Sequence, residues 1–246
     1  GEQWQAMTMN KGILHFWGVW ASIVAFDPQN SQHLYYSGGF ALYETTDGGE
    51  KWSKISDHTF GTVDKFVVHP LDGNILYKIN AEPQVQLYKS VDGGRTWDMS
   101  GPPSDRAEPS TNLWIDPNQG NVLILSWYGS GADTYVSADQ GDTWKKIIPH
   151  CESIAFSPDN EGVALCSKSS SGESLLFKTS DFGKTWNRMR FSQSPNRIYT
   201  LLISPHDTET IFLGGSAGLF VSRDGGTSWE AHNNGLGTAR LELFTH

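Results

Sequence analysis

The sequence predicts an all-β fold, a β-propeller of four-stranded blades, from two motifs that recur along its 246 residues. The first motif has the form Ser/Thr-x-Asp-x-Gly-x-x-Trp and occurs five times. Its aspartates follow one another at intervals of 42 to 47 residues, a period typical of propeller blades. The five aspartates are Asp47, Asp92, Asp139, Asp181 and Asp224.

The second motif is a short apolar segment that ends in proline, and one copy precedes each Asp motif. The five prolines are Pro28, Pro70, Pro117, Pro158 and Pro205. Proline restricts the residue before it and donates no ladder hydrogen bond, so it ends a strand and begins a turn. Each repeat is therefore strand, Pro turn, strand, loop, strand, Asp turn, strand. That order predicts one four-stranded blade per repeat, and five complete blades in all.

Each Asp motif lies between two strand-like segments and has the composition of a tight turn. The Asp carboxylate can accept backbone N–H groups, the Gly two residues later permits a positive φ, and the Trp offers an apolar face for packing between sheets. The pattern resembles the Asp-box, or bacterial neuraminidase repeat, of sialidases, xyloglucanases, sortilin-type receptors and photosystem II assembly factors. Boxes in that family lie away from its active sites, so the resemblance implies that the five aspartates are structural rather than catalytic.

The repeats run through the chain without a linker, which predicts a single propeller domain over residues 1–246. Residues 4–7 resemble the strand that follows a box, and residues 240–244 resemble the first strand of a blade. The termini therefore form a partial sixth blade, or else the chain is a piece of a longer propeller protein. The sequence leaves both possibilities open.

Composition argues against several classes of partner and binding site. A net charge of −9 and a pI near 5.3 argue against nucleic-acid partners and against binding to an anionic membrane surface. No apolar run is long enough to span a bilayer, and residues 1–4 lack the basic and apolar regions that begin a signal peptide. The histidines are scattered, so we expect no metal site and no cofactor. We expect an extracellular or periplasmic location.

Two cysteines, Cys151 and Cys166, are predicted to flank a strand–turn–strand segment. A cross-strand disulfide is one interpretation. The pattern favours the other, two buried free thiols.

Candidate functional residues lie at the strand ends opposite the two kinds of turn. Because strands alternate in direction, box turns and Pro turns share one end of each sheet, and the remaining loops share the other. The resemblance implies that a ligand pocket lies at that other end. The candidate binding residues there are Trp17, Trp20, Arg106, Trp127, Tyr128, His150, Arg197 and Tyr199. The candidate catalytic carboxylates are Asp105, Glu108 and Asp133.

These residues suit two main classes of function. Trp, Tyr and Arg are frequent anchors of protein partners, which favours a non-catalytic binding or assembly module for a protein or a carbohydrate. Aromatic rings beside a pair of carboxyls suit glycosidic chemistry. The alternative is therefore a glycoside hydrolase, xyloglucanase-like or sialidase-like, acting on a polysaccharide or glycan. A repeat domain of a larger protein with no ligand of its own is a third possibility.

Overall fold

The computed structural model consists of β-strands, without a helix among the residues that it describes. Those residues are 22–38, 41–57, 63–80, 85–102, 111–127, 133–147, 150–159, 162–170, 173–190 and 197–235. They form five antiparallel sheets of four strands each, in which strands adjacent in sequence pair with one another. The fold class, an all-β propeller of four-stranded blades, is confirmed. The predicted sixth blade falls outside the described residues and stays a prediction, as does the single domain.

In the second to fifth sheets the last strand is the shortest, with only two or three residues. The first sheet contains β1 (Ser22–Asp27), β2 (Asn30–Gly38), β3 (Ala41–Thr45) and β4 (Ser53–Asp57). The second contains β5 (Val63–His69), β6 (Asp72–Asn80), β7 (Gln86–Ser90) and β8 (Asp98–Met99). The third contains β9 (Thr111–Ile115), β10 (Leu123–Trp127), β11 (Thr134–Ser137) and β12 (Lys145–Ile147). The fourth contains β13 (Ser153–Phe156), β14 (Ala164–Ser170), β15 (Glu173–Thr179) and β16 (Asn187–Arg188). The fifth contains β17 (Ile198–Ile203), β18 (Ile211–Gly215), β19 (Gly218–Ser222) and β20 (Glu230–Ala231).

The chain divides into two compact units between Pro109 and Ser110. The first unit holds the first two sheets, whose facing surfaces are joined by a core that includes Tyr35, Leu42 and Phe66. The second unit holds the other three sheets, with one apolar cluster between the third and fourth and another between the fourth and fifth. Sheets buried on both faces explain why the inner strands are nearly continuous apolar runs.

Cys151 and Cys166 form a disulfide, so the expectation of two free thiols is wrong. Cys166 lies in β14, and Cys151 precedes β13 in the connection from the third sheet. The backbone of Cys151 is held against the third sheet, because its N–H donates to the Thr134 hydroxyl and its carbonyl accepts the Ser126 hydroxyl. In the ladder between β13 and β14 Cys166 pairs with Ile154, so the disulfide joins β14 to this connection rather than two paired strand residues. The two Cα atoms lie 5.5 Å apart, within the range a disulfide needs. The spacing of the cysteines in the sequence does not predict this position of the connection.

Lys78 introduces a charge into the core between the first two sheets. Each sheet has a position equivalent to Lys78 on its second strand. It is the residue that pairs with the third-strand residue two positions before the Ser or Thr that opens the box. The other four positions hold Tyr36, Leu125, Cys166 and Leu213. Lys78 is only 3% exposed, and its ammonium lies 4.4 Å from the ring centroid of Trp97 and 5.6 Å from that of Tyr88. Burial lowers the pKa of Lys78 from 10.5 to about 8.

Replacing Lys78 by Met should stabilise the protein at pH 7. The aliphatic stem is kept while the cost of burying the ammonium disappears, and the lost cation–π contact offsets only part of the gain. We expect the free energy of unfolding, measured by chemical denaturation, to rise by about 1–3 kcal/mol. Lys145→Met, at an exposed position, is the control and should change little.

The same variant should remove a pH dependence. Between pH 8 and 10.5 the unfolded chain binds more protons at Lys78 than the folded chain, because the folded pKa is lower. The free energy of unfolding of the wild type should therefore rise relative to that of Lys78→Met as the pH increases through this window. A difference that stays constant from pH 7 to 10 would contradict the assignment.

Candidate functional site

Each Asp-box folds into a hydrogen-bonded corner, and the second copy illustrates it. Oδ1 of Asp92 accepts the Ser90 hydroxyl at 2.8 Å and the Thr96 N–H at 2.9 Å, and Oδ2 accepts the Thr96 hydroxyl at 2.7 Å. The hydroxyl oxygen of Ser90 accepts the N–H of Gly94 at 2.8 Å. The indole N–H of Trp97 donates to the Gly94 carbonyl at 3.0 Å. The carboxylate thus satisfies donors that a tight turn would otherwise leave unpaired.

The other four boxes repeat this arrangement. In each, Oδ1 accepts the hydroxyl two residues before it and the N–H four residues after it, at 2.7 to 2.9 Å. The two residues after the aspartate both have positive φ in all five copies. Sequence reasoning identified only the second of them. The first is Gly in three copies, but it is Gln140 in one and Phe182 in another, with φ of 57° and 61°.

These hydrogen bonds hold the box carboxylates in the ionised form. For Asp224, the hydrogen bond from the Ser228 hydroxyl is the largest of several causes that lower the pKa to about 2. For Asp92, burial by itself raises the pKa, but the bonds from Thr96 and Ser90 outweigh it and lower the pKa to about 2. A carboxylate with so low a pKa and with both oxygens engaged is poorly suited to proton transfer near neutral pH.

The Pro turns satisfy their own backbone in a related way, which sequence reasoning missed. The residue before the proline accepts the N–H two residues after itself at Asp27, His69, Asp116 and Ser204, at 2.9, 3.2, 3.0 and 3.3 Å. The signal in the sequence was that each of the five motif prolines follows a residue whose side chain has an acceptor atom. The box end of these sheets is therefore built from turns whose polar groups bond to one another.

The opposite end of the third sheet carries Trp127, Asp133 and His150. The N–H of Trp127 donates to the Asp133 carbonyl at 2.8 Å, and the Asp133 carboxylate pairs with the Lys146 ammonium at 2.7 Å. Trp127 is only 3% exposed, so its ring does not present the flat surface expected for stacking. Its indole N–H has no acceptor among the described residues.

His150 belongs to a polar cluster on the other face of this sheet. Its Nδ1 lies 3.4 Å from the Ser126 hydroxyl and 3.3 Å from the Thr134 hydroxyl. Ser126 donates to the Cys151 carbonyl at 2.5 Å, and Thr134 accepts the Cys151 N–H at 2.8 Å. These bonds, with the disulfide, fix the connection that carries His150. Burial is the largest influence on the pKa of His150 and lowers it, which favours the neutral imidazole.

Arg197 and Tyr199 lie at the corresponding end of the fifth sheet. The guanidinium carbon of Arg197 lies 5.8 Å from the Tyr199 ring centroid, and the Arg197 side chain is exposed. The Arg197 N–H donates to the Ser216 hydroxyl at 3.1 Å, and the Ser216 N–H donates to the Arg197 carbonyl at 2.8 Å. No carboxylate of the described residues lies within ion-pair distance of Arg197.

Asn233 fixes the turn between β18 and β19, which bonds to Arg197 through Ser216. Its Oδ1 accepts the N–H of Leu219 at 2.8 Å, and its Nδ2 donates to the carbonyl of Ala217 at 3.0 Å. Gly218, between them, has a φ of 104° and lies so close to the Asn233 side chain that no Cβ would fit. Neither Ser216 nor Asn233 was singled out from the sequence, because their role depends on strands distant in the chain.

Six of the candidate site residues lie outside the described part of the chain, namely Trp17, Trp20, Asp105, Arg106, Glu108 and Tyr128. The predicted carboxylate pair with Asp133 therefore stays a prediction. Within the described ranges, no three His, Cys, Asp or Glu side chains are grouped so that they could hold a metal ion. The same ranges contain no helix with the length and apolarity needed to cross a bilayer.

Comparison with known proteins shows similarity to one family. A family model described as sortilin, neurotensin receptor 3, matches residues 41–174 and 132–236. The mouse VPS10 domain-containing receptor SorCS3 is 25% identical over 126 residues, which is 50% of this chain and 10% of the receptor. The vacuolar protein sorting/targeting protein 10 of Laccaria bicolor is 27% identical over 245 residues, 84% of this chain and 15% of that protein. The chain therefore spans only a small part of the length of these relatives.

Among solved structures, a GH74 enzyme from Niastella koreensis superposes with a TM-score of 0.65 at 20% identity. The match covers 87% of this chain and 38% of the enzyme. At this level of identity the similarity concerns the fold alone.

Removing one box carboxylate should destabilise the fold. Asp92→Ala leaves the backbone donors of Arg95 and Thr96 without their acceptor, and we expect the free energy of unfolding to fall by about 1–3 kcal/mol. Asp98→Ala, at an exposed strand position of the same sheet, is the matched control. Chemical denaturation of both variants at pH 7 provides the measurement.

The loss caused by Asp92→Ala should depend on pH in acid. The folded pKa of Asp92 is about 2, below the ordinary value of 3.8, so its contribution to stability is complete above the higher value. That contribution decreases as the pH falls toward 2. The wild type and Asp92→Ala should therefore converge in stability between pH 4 and pH 2. If the difference in free energy of unfolding between the two proteins stayed constant from pH 4 to pH 2, the role given to the carboxylate would be contradicted.

Proposed function

The chain belongs to the sortilin/Vps10 family, and on this premise we propose that it is a non-catalytic propeller module that binds a protein partner. The partner would bind at the strand ends opposite the Asp-boxes. The names of its relatives support the proposal, since they are a VPS10 domain-containing receptor and a vacuolar protein sorting/targeting protein. Binding of a carbohydrate by the same strand ends is the second possibility for the ligand.

The contrast between the two ends of the sheets is the observation that carries this proposal. At the box end, the aspartates and the residues before the prolines accept hydrogen bonds from their own turns. We assign the five box aspartates a structural role for this reason. At the other end, Arg197 presents an exposed guanidinium beside Tyr199. Arg and Tyr are enriched among the residues that dominate binding energy at protein interfaces.

Internal bonds fix the segments beside two of the proposed binding residues, Arg197 and His150. Ser216 and Asn233 fix the loop beside Arg197, and the Cys151 hydrogen bonds and disulfide fix the connection beside His150. A fixed loop loses little conformational freedom on binding, which favours affinity. The guanidinium of Arg197 suits an acidic group of the partner, because such pairs are charge-assisted. The net charge of −9 disfavours a strongly acidic partner as a whole.

The location proposed for this module is an oxidising compartment, extracellular or periplasmic. The Cys151–Cys166 disulfide supports it, because disulfides persist in such compartments and are rare in the cytosol.

Selection from a phage-displayed peptide library tests the binding proposal. We expect peptides whose affinity for Arg197→Ala falls by about tenfold or more, the loss of a strong interface contact. Arg223→Ala is the matched control, because Arg223 is an exposed arginine at the box end of the same sheet and its removal should leave affinity unchanged. Equal losses in the two variants, or a library that yields no binder, would refute the proposal.

Assays for glycoside turnover separate this proposal from the alternative. A non-catalytic module should show no turnover of polysaccharides or chromogenic glycosides. Turnover that is lost in Asp133→Ala but kept in Asp181→Ala would establish the glycoside hydrolase instead. Asp181 serves as the control because its carboxylate is engaged within a box turn.

A further inference from the structure

The sequence contains one Asn-Gly pair, Asn234 and Gly235, which follows β20 at the end of the fifth sheet. Both residues are exposed and lie in a turn. An Asn-Gly pair is chemically labile, because the backbone nitrogen of the glycine can attack the side-chain amide carbon of the asparagine. Glycine favours this attack, since it has no Cβ to hinder the approach. The rate in a folded protein depends on how firmly the fold holds the two reacting groups.

Neither reacting group of this pair is held by a hydrogen bond within the part of the chain that the structure describes. The side chain of Asn233 still bonds to the turn between β18 and β19. One residue later, the side-chain amide of Asn234 and the N–H of Gly235 have no partner among the described residues. A Cβ built on Gly235 would meet no atom within 4 Å, so the space around this peptide bond is open.

Three of the Asp-boxes contain an Asp-Gly pair, to which the corresponding reaction is open, and there the glycine nitrogen is held. Its N–H donates to a backbone carbonyl of the same blade at 2.9 Å in every case. The bonds run from Gly48 to Gln32, from Gly93 to Asn74 and from Gly225 to Glu209. A nitrogen in such a bond must give it up before it can attack, which costs free energy.

The carboxyl groups of these boxes are held as well. An ionised carboxylate is a poor target for a nucleophile, and the pKa of Asp92 and that of Asp224 are about 2. The pKa of Asp47 is also lowered, chiefly by the hydrogen bond from the N–H of Lys51. In the second box both carboxylate oxygens accept hydrogen bonds from Thr96, which oppose rotation of the carboxylate toward Gly93.

We propose that Asn234 is a site of spontaneous deamidation in the folded protein, and that the fold protects the Asp-Gly pairs of the boxes from the corresponding reaction. The nitrogen of Gly235 loses its proton and forms a bond to Cγ of Asn234. The bond between Cγ and Nδ2 breaks, and the leaving nitrogen takes up a proton and departs as ammonia. Water then opens the cyclic imide at either carbonyl, which gives aspartate or isoaspartate. The reaction consumes one water and needs no oxidant or reductant.

The new carboxylate would arise at the strand end that also carries Arg197. It adds one negative charge to a chain whose formal net charge is −9, and isoaspartate also lengthens the main chain by one methylene. Asn233, the preceding residue, fixes the turn whose Ser216 bonds to Arg197. The inference does not rest on the function proposed above, because it follows from the bonding of Asn234 and Gly235 alone.

Peptide mapping of the aged 246-residue chain tests the proposal. The folded protein is incubated at pH 8 and 37 °C and digested at mildly acidic pH, so that digestion adds no deamidation. We expect the peptide that contains Asn234 to be converted progressively to the mass of the acid. Protein isoaspartyl methyltransferase should label this peptide, because the enzyme methylates isoaspartate. Asn30 and Asn187, which are exposed and precede Ser and Arg, are internal controls and should stay unchanged.

The variant Asn234→Gln is the matched control for the site. Its longer side chain would have to form a six-membered ring, so the methyltransferase label should be lost from the aged protein. A wild-type chain that keeps Asn234 intact when folded, but deamidates there in guanidinium chloride, would overturn the proposal. Label that persists at the same level in Asn234→Gln would overturn it too.

The protection of the boxes is measured at pH 5, where the carboxyl groups of an unfolded chain are partly protonated. The chain in guanidinium chloride is incubated until isoaspartate appears at Asp47, Asp92 and Asp224, and the folded protein is incubated for the same time. We expect no isoaspartate at these three positions in the folded protein. Formation at equal rates in the two samples would refute this part of the proposal.

Discussion

The structure depends on one interaction repeated five times, the acceptance of a hydroxyl and a backbone N–H by the same carboxylate oxygen. In the second box this oxygen is Oδ1 of Asp92, which binds Ser90 and Thr96. A turn this tight leaves several backbone donors directed inward, where no strand can satisfy them. A short anionic side chain can accept several of them at once. Two consecutive residues with positive φ then reverse the chain and return it as the outer strand.

This use of the carboxylates limits the chemistry available at the box end. Hydrogen bonds lower the pKa of Asp92 and Asp224 to about 2, so these groups stay ionised in the folded protein. The Pro turns at the same end use Asp27 and Asp116 in a similar way. Function is therefore better sought at the other strand ends, where side chains are held by loops but do not form the turns themselves.

Packing between sheets places a second constraint on the sequence. A position that is apolar in most sheets holds Lys78 in the second, and aromatic rings take the place of a counter-ion among the described residues.

The sequence by itself determined the sheets, because its signals are local. Each Asp motif, each motif proline and each short apolar segment acts within about ten residues and specifies a turn or a strand directly. The burial of Trp127, the pairing of Asp133 with Lys146 and the Cys151–Cys166 disulfide were decided by tertiary structure. Each depends on which strands and connections lie side by side. Arg197 was identified from sequence, but Ser216 and Asn233, which fix its loop, were not, since they reach it only through the pairing of β17 to β20.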